Sequence, residues 1–173
     1  AKAVAERLAT AAYPKGFAHV RFDEKELSAP LRLETPAGIF SDSMSDLLGK
    51  GVPDEWVNQV LDVMRQTPQH IYFVLTKNPP RLNHFDWPEN AWVGVSAPPT
   101  FMYGKELTRE QQERWYSRAL SALGKLDIPV RWTSIEPLSW DVSPLIEKHW
   151  HCLDWAVIGA ASNGPKDHQP DEQ

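Results

Sequence analysis

Six consecutive residues, Ser41 to Asp46, bring three hydroxyl groups and two carboxylates together directly after a short apolar run. Such a set can bind an ammonium group, the hydroxyls of a ribose or a divalent cation. The structural alternative is an Asp or Ser that caps the next helix, but one cap needs only one of these residues. The segment therefore favours a ligand-binding role.

Polar residues follow four further apolar runs in the same way: Thr76 with Lys77, Ser96, Ser134 with Glu136, and the loop 159–164. Lys77 suits a carboxylate or phosphate, with a solvated lysine as the alternative. A Glu136 carboxylate at the end of a strand costs free energy unless it is paired. Its presence is explained equally well by a ligand-binding role and by a salt bridge to Lys77 or Arg131. The loop 159–164 lacks the spacing of a dinucleotide fingerprint or a P-loop.

Elements that would position these residues follow from the hydrophobic pattern. Helical spacing of apolar residues predicts helices over 53–66 and 108–123, and Thr108 with Gln111 has the pattern of a capping box. The apolar runs 38–40, 71–75, 91–95, 130–135 and 153–158 predict five strands. Strands that are apolar on both faces and separated by helices indicate a parallel α/β sheet. Because parallel strands end at one edge, the polar residues should converge there.

Composition sets limits on the class of protein. The 173 residues, with 42% hydrophobic and 24% charged residues, suit one domain over 1–173, in which 13–33 lies outside the pattern as an inserted loop or hairpin. No apolar run reaches the roughly eighteen residues of a membrane span, so we expect a cytoplasmic protein. The net charge of -5 argues against nonspecific nucleic-acid binding, although it leaves a local basic groove open. The scattered histidines do not favour a zinc site.

Several segments together resemble the three-cysteine-motif family of phage and bacterial proteins, which is similar to radical S-adenosylmethionine enzymes. They are residues 13–17, 39–47, 52–55, 74–77, 92–96 and 134–138. The resemblance implies a partial (β/α)6 TIM-like barrel, of which the five predicted strands are the second to the sixth. It also implies that the cluster-binding cysteines lie upstream of Ala1 and that a closing helix follows the last strand. The chain alone would then bind without catalysing.

The resemblance also implies a cofactor site. Ser43, Ser45 and Asp46 would hold the methionine amino group, although the Gly-Gly-Glu common in radical enzymes is absent there. Ser96 would face the ribose, and Ser134, Glu136, Gly159 and Ser162 would approach the sugar, carboxylate or adenine. Thr76 and Lys77 complete the predicted set. In the full-length protein a [4Fe–4S] cluster would donate one electron to S-adenosylmethionine, and the resulting deoxyadenosyl radical would abstract a hydrogen from an unknown substrate. The lone Cys152 cannot hold such a cluster.

Two other functions fit the same residues. The first is a metal-dependent hydrolase or nuclease on a barrel, in which Asp42, Asp46 and Glu136 bind Mg²⁺ or Mn²⁺. The second is a non-enzymatic, phage-associated interaction module with a protein partner, in which the polar strand ends are only caps and ion pairs. The second function predicts that Asp46→Ala and Glu136→Ala change stability without changing any ligand affinity.

Overall fold

The computed structural model describes residues 19–43, 45–102 and 104–160. The helices in these ranges are α1 (Glu24–Leu27), α2 (Asp54–Gln66), α3 (Arg109–Leu123) and α4 (Ser143–His149). The strands are β1 (Gly38–Ser41), β2 (Ile71–Thr76), β3 (Ala91–Ser96), β4 (Phe101–Met102), β5 (Lys105–Glu106), β6 (Val130–Ile135) and β7 (Trp155–Ile158). Short 3₁₀ turns lie at Pro30–Arg32, Pro79–His84 and Trp150–Cys152. None of the described helices has the length and apolar character needed to cross a membrane.

Five strands form one parallel sheet in the order β1-β2-β3-β6-β7. This order confirms the predicted α/β class and the five-stranded parallel sheet. Pairing extends one residue beyond two of the apolar runs, since Thr76 pairs with Val95 and Ser96 pairs with Ser134. Thr76 and Ser96 therefore end β2 and β3, rather than beginning the loops that follow.

Other predicted boundaries shift by one or two residues. The strand expected from residue 153 begins at Trp155, because the Leu153 amide donates to the Trp150 carbonyl and closes a 3₁₀ turn. Helix α2 begins at Asp54, with Pro53 in an extended conformation before it. The predicted capping box is confirmed at α3, where the Gln111 amide donates to Thr108 Oγ1 and the Thr108 amide to Gln111 Oε1.

The main hydrophobic core lies between the helices and one face of the sheet. In a parallel sheet whose sequential strands are neighbours, right-handed crossovers place the connecting helices on the same face. Helix α2 contributes Leu61 and Met64, and α3 contributes Tyr116, all fully buried. The Tyr116 hydroxyl lies 2.9 Å from Thr133 Oγ1, and burial raises its pKa to about 12. Tyr116 is therefore neutral and ties α3 to β6.

The other face of the sheet carries aromatic side chains, and we call it the open face. Its rings, which contact one another edge-on or tilted, are Phe40, Phe73, Trp92, Trp132 and Trp155. Phe40 and Trp155, on the two outer strands, are 47% and 41% exposed, whereas Trp132, on the inner strand β6, is 3% exposed. Trp155 lies on an outer strand, which pairs with another strand on one side only, although its ring contacts Phe73, Trp92 and Trp132.

The described part of the predicted insertion 13–33 packs against α2. Residues 19–33 contain α1 and a 3₁₀ turn, and the structure assigns no strand within 19–33. The Phe22 ring stacks on Trp56 with centroids 5.3 Å apart, and His70 Nε2 lies 3.2 Å from the Pro30 carbonyl oxygen. A two-stranded hairpin, β4–β5, occurs instead after β3, and no sequence pattern had predicted it.

The buried histidine of α4 should make stability depend on pH. His149 is 8% exposed, its Nε2 lies 3.1 Å from Ser117 Oγ on α3, and its pKa is lowered from 6.5, first by burial and then by Lys148 and His151. Below pH 6.5 His149 becomes protonated in the unfolded chain but stays neutral in the folded protein. The free energy of unfolding therefore falls as the pH falls. We expect a loss of at most about 1.4 kcal/mol per pH unit, confined to the interval between pH 6.5 and the lowered pKa of the folded protein.

Urea unfolding at pH 7.5 and pH 5.5 measures this loss. His149→Gln should reduce the pH dependence, whereas His151→Gln, on an exposed neighbour, should leave most of it in place. An unchanged pH dependence in His149→Gln would assign the effect to other groups.

Candidate functional site

The predicted site residues lie where the parallel strands end, and we call this side of the sheet the carboxyl edge. Nine of the ten predicted cofactor residues are described, and Ser162 lies outside the described residues. The nine form two groups along the edge. One group follows β3, β6 and β7, and the other follows β1 and β2.

The first group consists of Ser96, Ser134, Glu136 and Gly159. Ser96 and Ser134 are register partners at the ends of β3 and β6, and both are buried. Ser134 Oγ donates to Glu136 Oε2 at 3.1 Å, which fixes the direction of an otherwise exposed carboxylate. No described ion pair joins Glu136 to Lys77 or Arg131, the partners that would have explained it structurally, and Arg131 instead pairs with Asp154.

Gly159 lies directly against the Glu136 carboxylate. Its amide donates to the Ile135 carbonyl at 3.1 Å, and its carbonyl accepts from the Leu138 amide at 2.8 Å. A Cβ at position 159 would be 2.6 Å from Glu136 Oε1, so any larger residue would displace the carboxylate. Glycine therefore permits the carboxylate to approach the backbone in this position.

The second group centres on Asp46, whose carboxylate links β1 to β2. Oδ1 accepts from Thr76 Oγ1 at 2.8 Å and from the Leu48 amide at 3.0 Å, and Oδ2 accepts from the Lys77 amide at 2.8 Å. A carboxylate offers about four acceptor positions, so these three bonds leave one. The geometry makes Asp46 a structural clamp, which differs from the predicted role of holding an amino group.

Three other residues of the Ser41–Asp46 segment, Asp42, Ser43 and Ser45, are exposed. Ser43 and Ser45 face solvent, and Ser45 Oγ donates to Asp42 Oδ1 at 2.8 Å. Asp42 has a positive φ of 58°, a left-handed conformation that Asp tolerates better than most residues. Although the residue as a whole is exposed, desolvation of its carboxyl raises its pKa, the Ser45 bond partly offsets this, and Asp46 raises it further. Asp42, rather than Asp46, is the less occupied carboxylate of the segment.

A cavity of about 790 Å³ opens beside the Asp46 clamp. Its charged and polar lining consists of Asp46, Lys50, Asp54, Lys77, Asn78 and Arg81. Only Asp46 and Lys77 had been predicted as site residues. The signal for Lys50 was its position between Gly49 and Gly51, directly after the Ser41–Asp46 segment. Arg81 and Asp54 gave no local signal, because a contact between the 3₁₀ turn Pro79–His84 and the start of α2 brings them together.

The structure does not bring together the three carboxylates that would bind Mg²⁺ or Mn²⁺ in a metal-dependent hydrolase or nuclease. Among residues 19–43, 45–102 and 104–160, no group of three or more His, Cys, Asp and Glu side chains could hold a metal ion. Asp42 and Asp46 are close enough to interact electrostatically, but Glu136 belongs to the other group of residues. The three carboxylates therefore do not form one site in this structure.

Together these features define a class: an α/β protein with a sequentially ordered parallel sheet and a polar site along its carboxyl edge. The chain belongs to the family described as "Protein of unknown function (DUF5131)", whose model matches residues 1–173. No curated protein and no solved structure matches it.

Proposed function

We propose that this chain is the core of a radical S-adenosylmethionine enzyme and that the cofactor's adenosyl group binds at the first group of edge residues. The observation that supports this most is the position of the Glu136 carboxylate at the carboxyl edge. It accepts a hydrogen bond from Ser134 and lies close to Gly159. In parallel α/β folds ligands bind at this edge. A fixed, solvent-facing carboxylate there is suited to the two hydroxyls of a ribose.

The residues present fit S-adenosylmethionine in part. Glu136 and the Ser96 and Ser134 hydroxyls match the ribose, and Asp42, whose carboxylate accepts one hydrogen bond from Ser45, has acceptor positions left for an amino group. The Asp46 clamp fits that amino group less well, because three of its acceptor positions are in use.

The iron–sulfur cluster does not fit the residues present. A [4Fe–4S] cluster requires several thiolates, and this sequence has only Cys152, which is 6% exposed and lies against Gly124. Its ligands would have to come from residues outside this sequence.

The residues of this chain would bind and orient the cofactor. Ser134 donates to Glu136, so the carboxylate keeps one direction and accepts hydrogen bonds from the ribose hydroxyls without first losing side-chain freedom. Gly159 gives the carboxylate room and holds residues 135–138 through two backbone hydrogen bonds. The aromatic side chains of the open face would keep water from the reacting end of the ligand.

Replacing Glu136 with Gln tests this proposal. We expect S-adenosylmethionine to bind this variant at least about tenfold more weakly, since a charged acceptor of two hydroxyl hydrogen bonds is lost. Isothermal titration calorimetry on the 173-residue chain measures the affinity. Glu147→Gln, the same change on an exposed position of α4, is the matched control and should bind like the parent chain.

Equal affinity in the two variants, or no measurable binding to the parent chain, would contradict the proposal. The radical part has a separate test in the gene: three closely spaced cysteine codons upstream of Ala1 would support it, and their absence would remove its basis. If they are present, anaerobic reconstitution of the full-length protein should yield the broad visible absorbance of a cluster and reductive cleavage of the cofactor.

Two finer predictions belong to the same proposal. The sequential order of the parallel strands is what a partial (β/α)6 barrel requires, with the five strands as its second to sixth and the open face turned inward. A cytoplasmic location and a phage-associated role follow from the composition and the family resemblance.

A further inference from the structure

The cavity beside Asp46 differs in charge from the rest of the protein. The chain as a whole has a net charge of -5. The cavity lining instead has three cations, Lys50, Lys77 and Arg81, against two carboxylates, Asp46 and Asp54, so its formal charge is 3 − 2 = +1. A concave, positively charged region on an acidic protein concentrates anions locally.

Two of the three cations are free to bind a ligand. Arg81 is occupied, because its guanidinium donates to Asp54 and to the Leu48 and Gly49 carbonyls. Neither Lys50 nor Lys77 has an ion-pair partner among the described residues. Both ammonium groups therefore keep all three of their donors.

The walls of the cavity are held in place by bonds that do not involve these lysines' side chains. Arg81, whose side chain is 16% exposed, joins the 48–49 backbone to the start of α2. Asn78 Nδ2 donates to the Leu48 carbonyl at 2.7 Å, and the Lys77 amide is fixed by Asp46. A ligand would thus enter a preformed cavity and would need to order only the two lysine side chains.

We infer that this cavity is an oxyanion site, in which Lys50 and Lys77 bind a phosphate or carboxylate group from two sides. In the proposed enzyme this group belongs to the substrate, and only that assignment rests on the proposed function. Arg81 is a positioning residue, since it acts by holding the 48–49 backbone. The cavity lining shares no residue with the group that contains Glu136, so occupation of one does not require occupation of the other.

Titration of the chain with inorganic phosphate, and separately with malonate, tests the inference by calorimetry at low ionic strength. We expect at least one of the two anions to bind, and Lys50→Gln and Lys77→Gln each to weaken it roughly tenfold. Lys125→Gln removes the same charge before β6, at the opposite end of the sheet, and should leave the affinity unchanged. Since all three lysines are exposed, each variant should fold, which far-UV circular dichroism verifies.

The outcomes separate this inference from the proposed function. Binding of phosphate alone assigns the site to phosphate-bearing ligands, and binding of malonate alone assigns it to carboxylates. Failure of both anions to bind, or equal weakening by all three variants, overturns the inference. Titration of the same variants with S-adenosylmethionine reports on the site that contains Glu136. If S-adenosylmethionine fails to bind while the anion still binds, only the cofactor proposal is contradicted.

Discussion

The Asp46→Ala variant should unfold with a free energy about 3 kcal/mol lower than that of the parent chain. Three donors lose their shared acceptor: the hydroxyl of Thr76, which is 1% exposed, and the amides of Leu48 and Lys77. A donor left buried without a partner bears the full cost of its lost hydration. Urea denaturation followed by tryptophan fluorescence measures the change.

Asp62→Ala is the control, because it removes an aspartate that forms a surface ion pair with Arg65 on α2. Exposed ion pairs contribute little, so this variant should lose no more than about 1 kcal/mol. If Asp46→Ala lost equally little stability while S-adenosylmethionine binding fell tenfold, Asp46 would be a cofactor ligand rather than a clamp. The outcome therefore decides between the role implied by the family resemblance and the role seen in the geometry.

The Gly94→Ala variant should be destabilised by about 3 kcal/mol through crowding of the open face. A Cβ at position 94 would lie 2.6 Å from Cδ2 and Cε2 of the Trp132 indole. That ring cannot easily move, because Trp132 is 3% exposed and its Nε1 donates to the Trp92 carbonyl at 3.0 Å. The Trp155 ring also packs against it, with the two ring centroids 5.2 Å apart. The same urea unfolding experiment measures this loss.

Gly38→Ala provides the comparison at an outer strand. Its Cβ would lie 2.9 Å from Cε2 of the Phe73 ring, which is half-buried and, unlike the Trp132 indole, held by no hydrogen bond, so the loss should be below about 1 kcal/mol. Trp132→Leu gives a second check, because Gly94→Ala should cost much less in that background. Equal costs of Gly94→Ala in both backgrounds would show that the indole is not the cause.

Local patterns predicted the elements well. The alternation of apolar runs with helical spacing was sufficient for five parallel strands and for α2 and α3, and Thr108 with Gln111 was sufficient for a capping box. These features depend on residues within one or two turns of each other, which a single sequence displays directly. The hairpin β4–β5 was missed because its strands have two residues each, too few for a periodic signal.

The roles of individual polar residues were harder to predict. Placing Ser134 and Glu136 at the carboxyl edge required only the strand prediction, and the two residues do meet there. The role of Asp46 could not be predicted in the same way. Its carboxylate accepts from the Thr76 hydroxyl and the Lys77 amide, about thirty positions further along the chain, and only the folded structure shows this contact. Nothing near Asp46 in sequence distinguishes a clamp from a ligand-binding carboxylate.

By itself, the sequence determined the α/β class, the parallel sheet and the edge at which polar residues gather, because these follow from hydrophobic periodicity and the fixed hand of crossovers. Only the tertiary structure decided which charges are free. Asp46 and Arg81 are occupied, whereas Lys50, Lys77 and Glu136 keep unused donors or acceptors. Hydrogen bonds and ion pairs between distant loops are satisfied at short range in space but at long range in sequence, so only the folded chain reveals them.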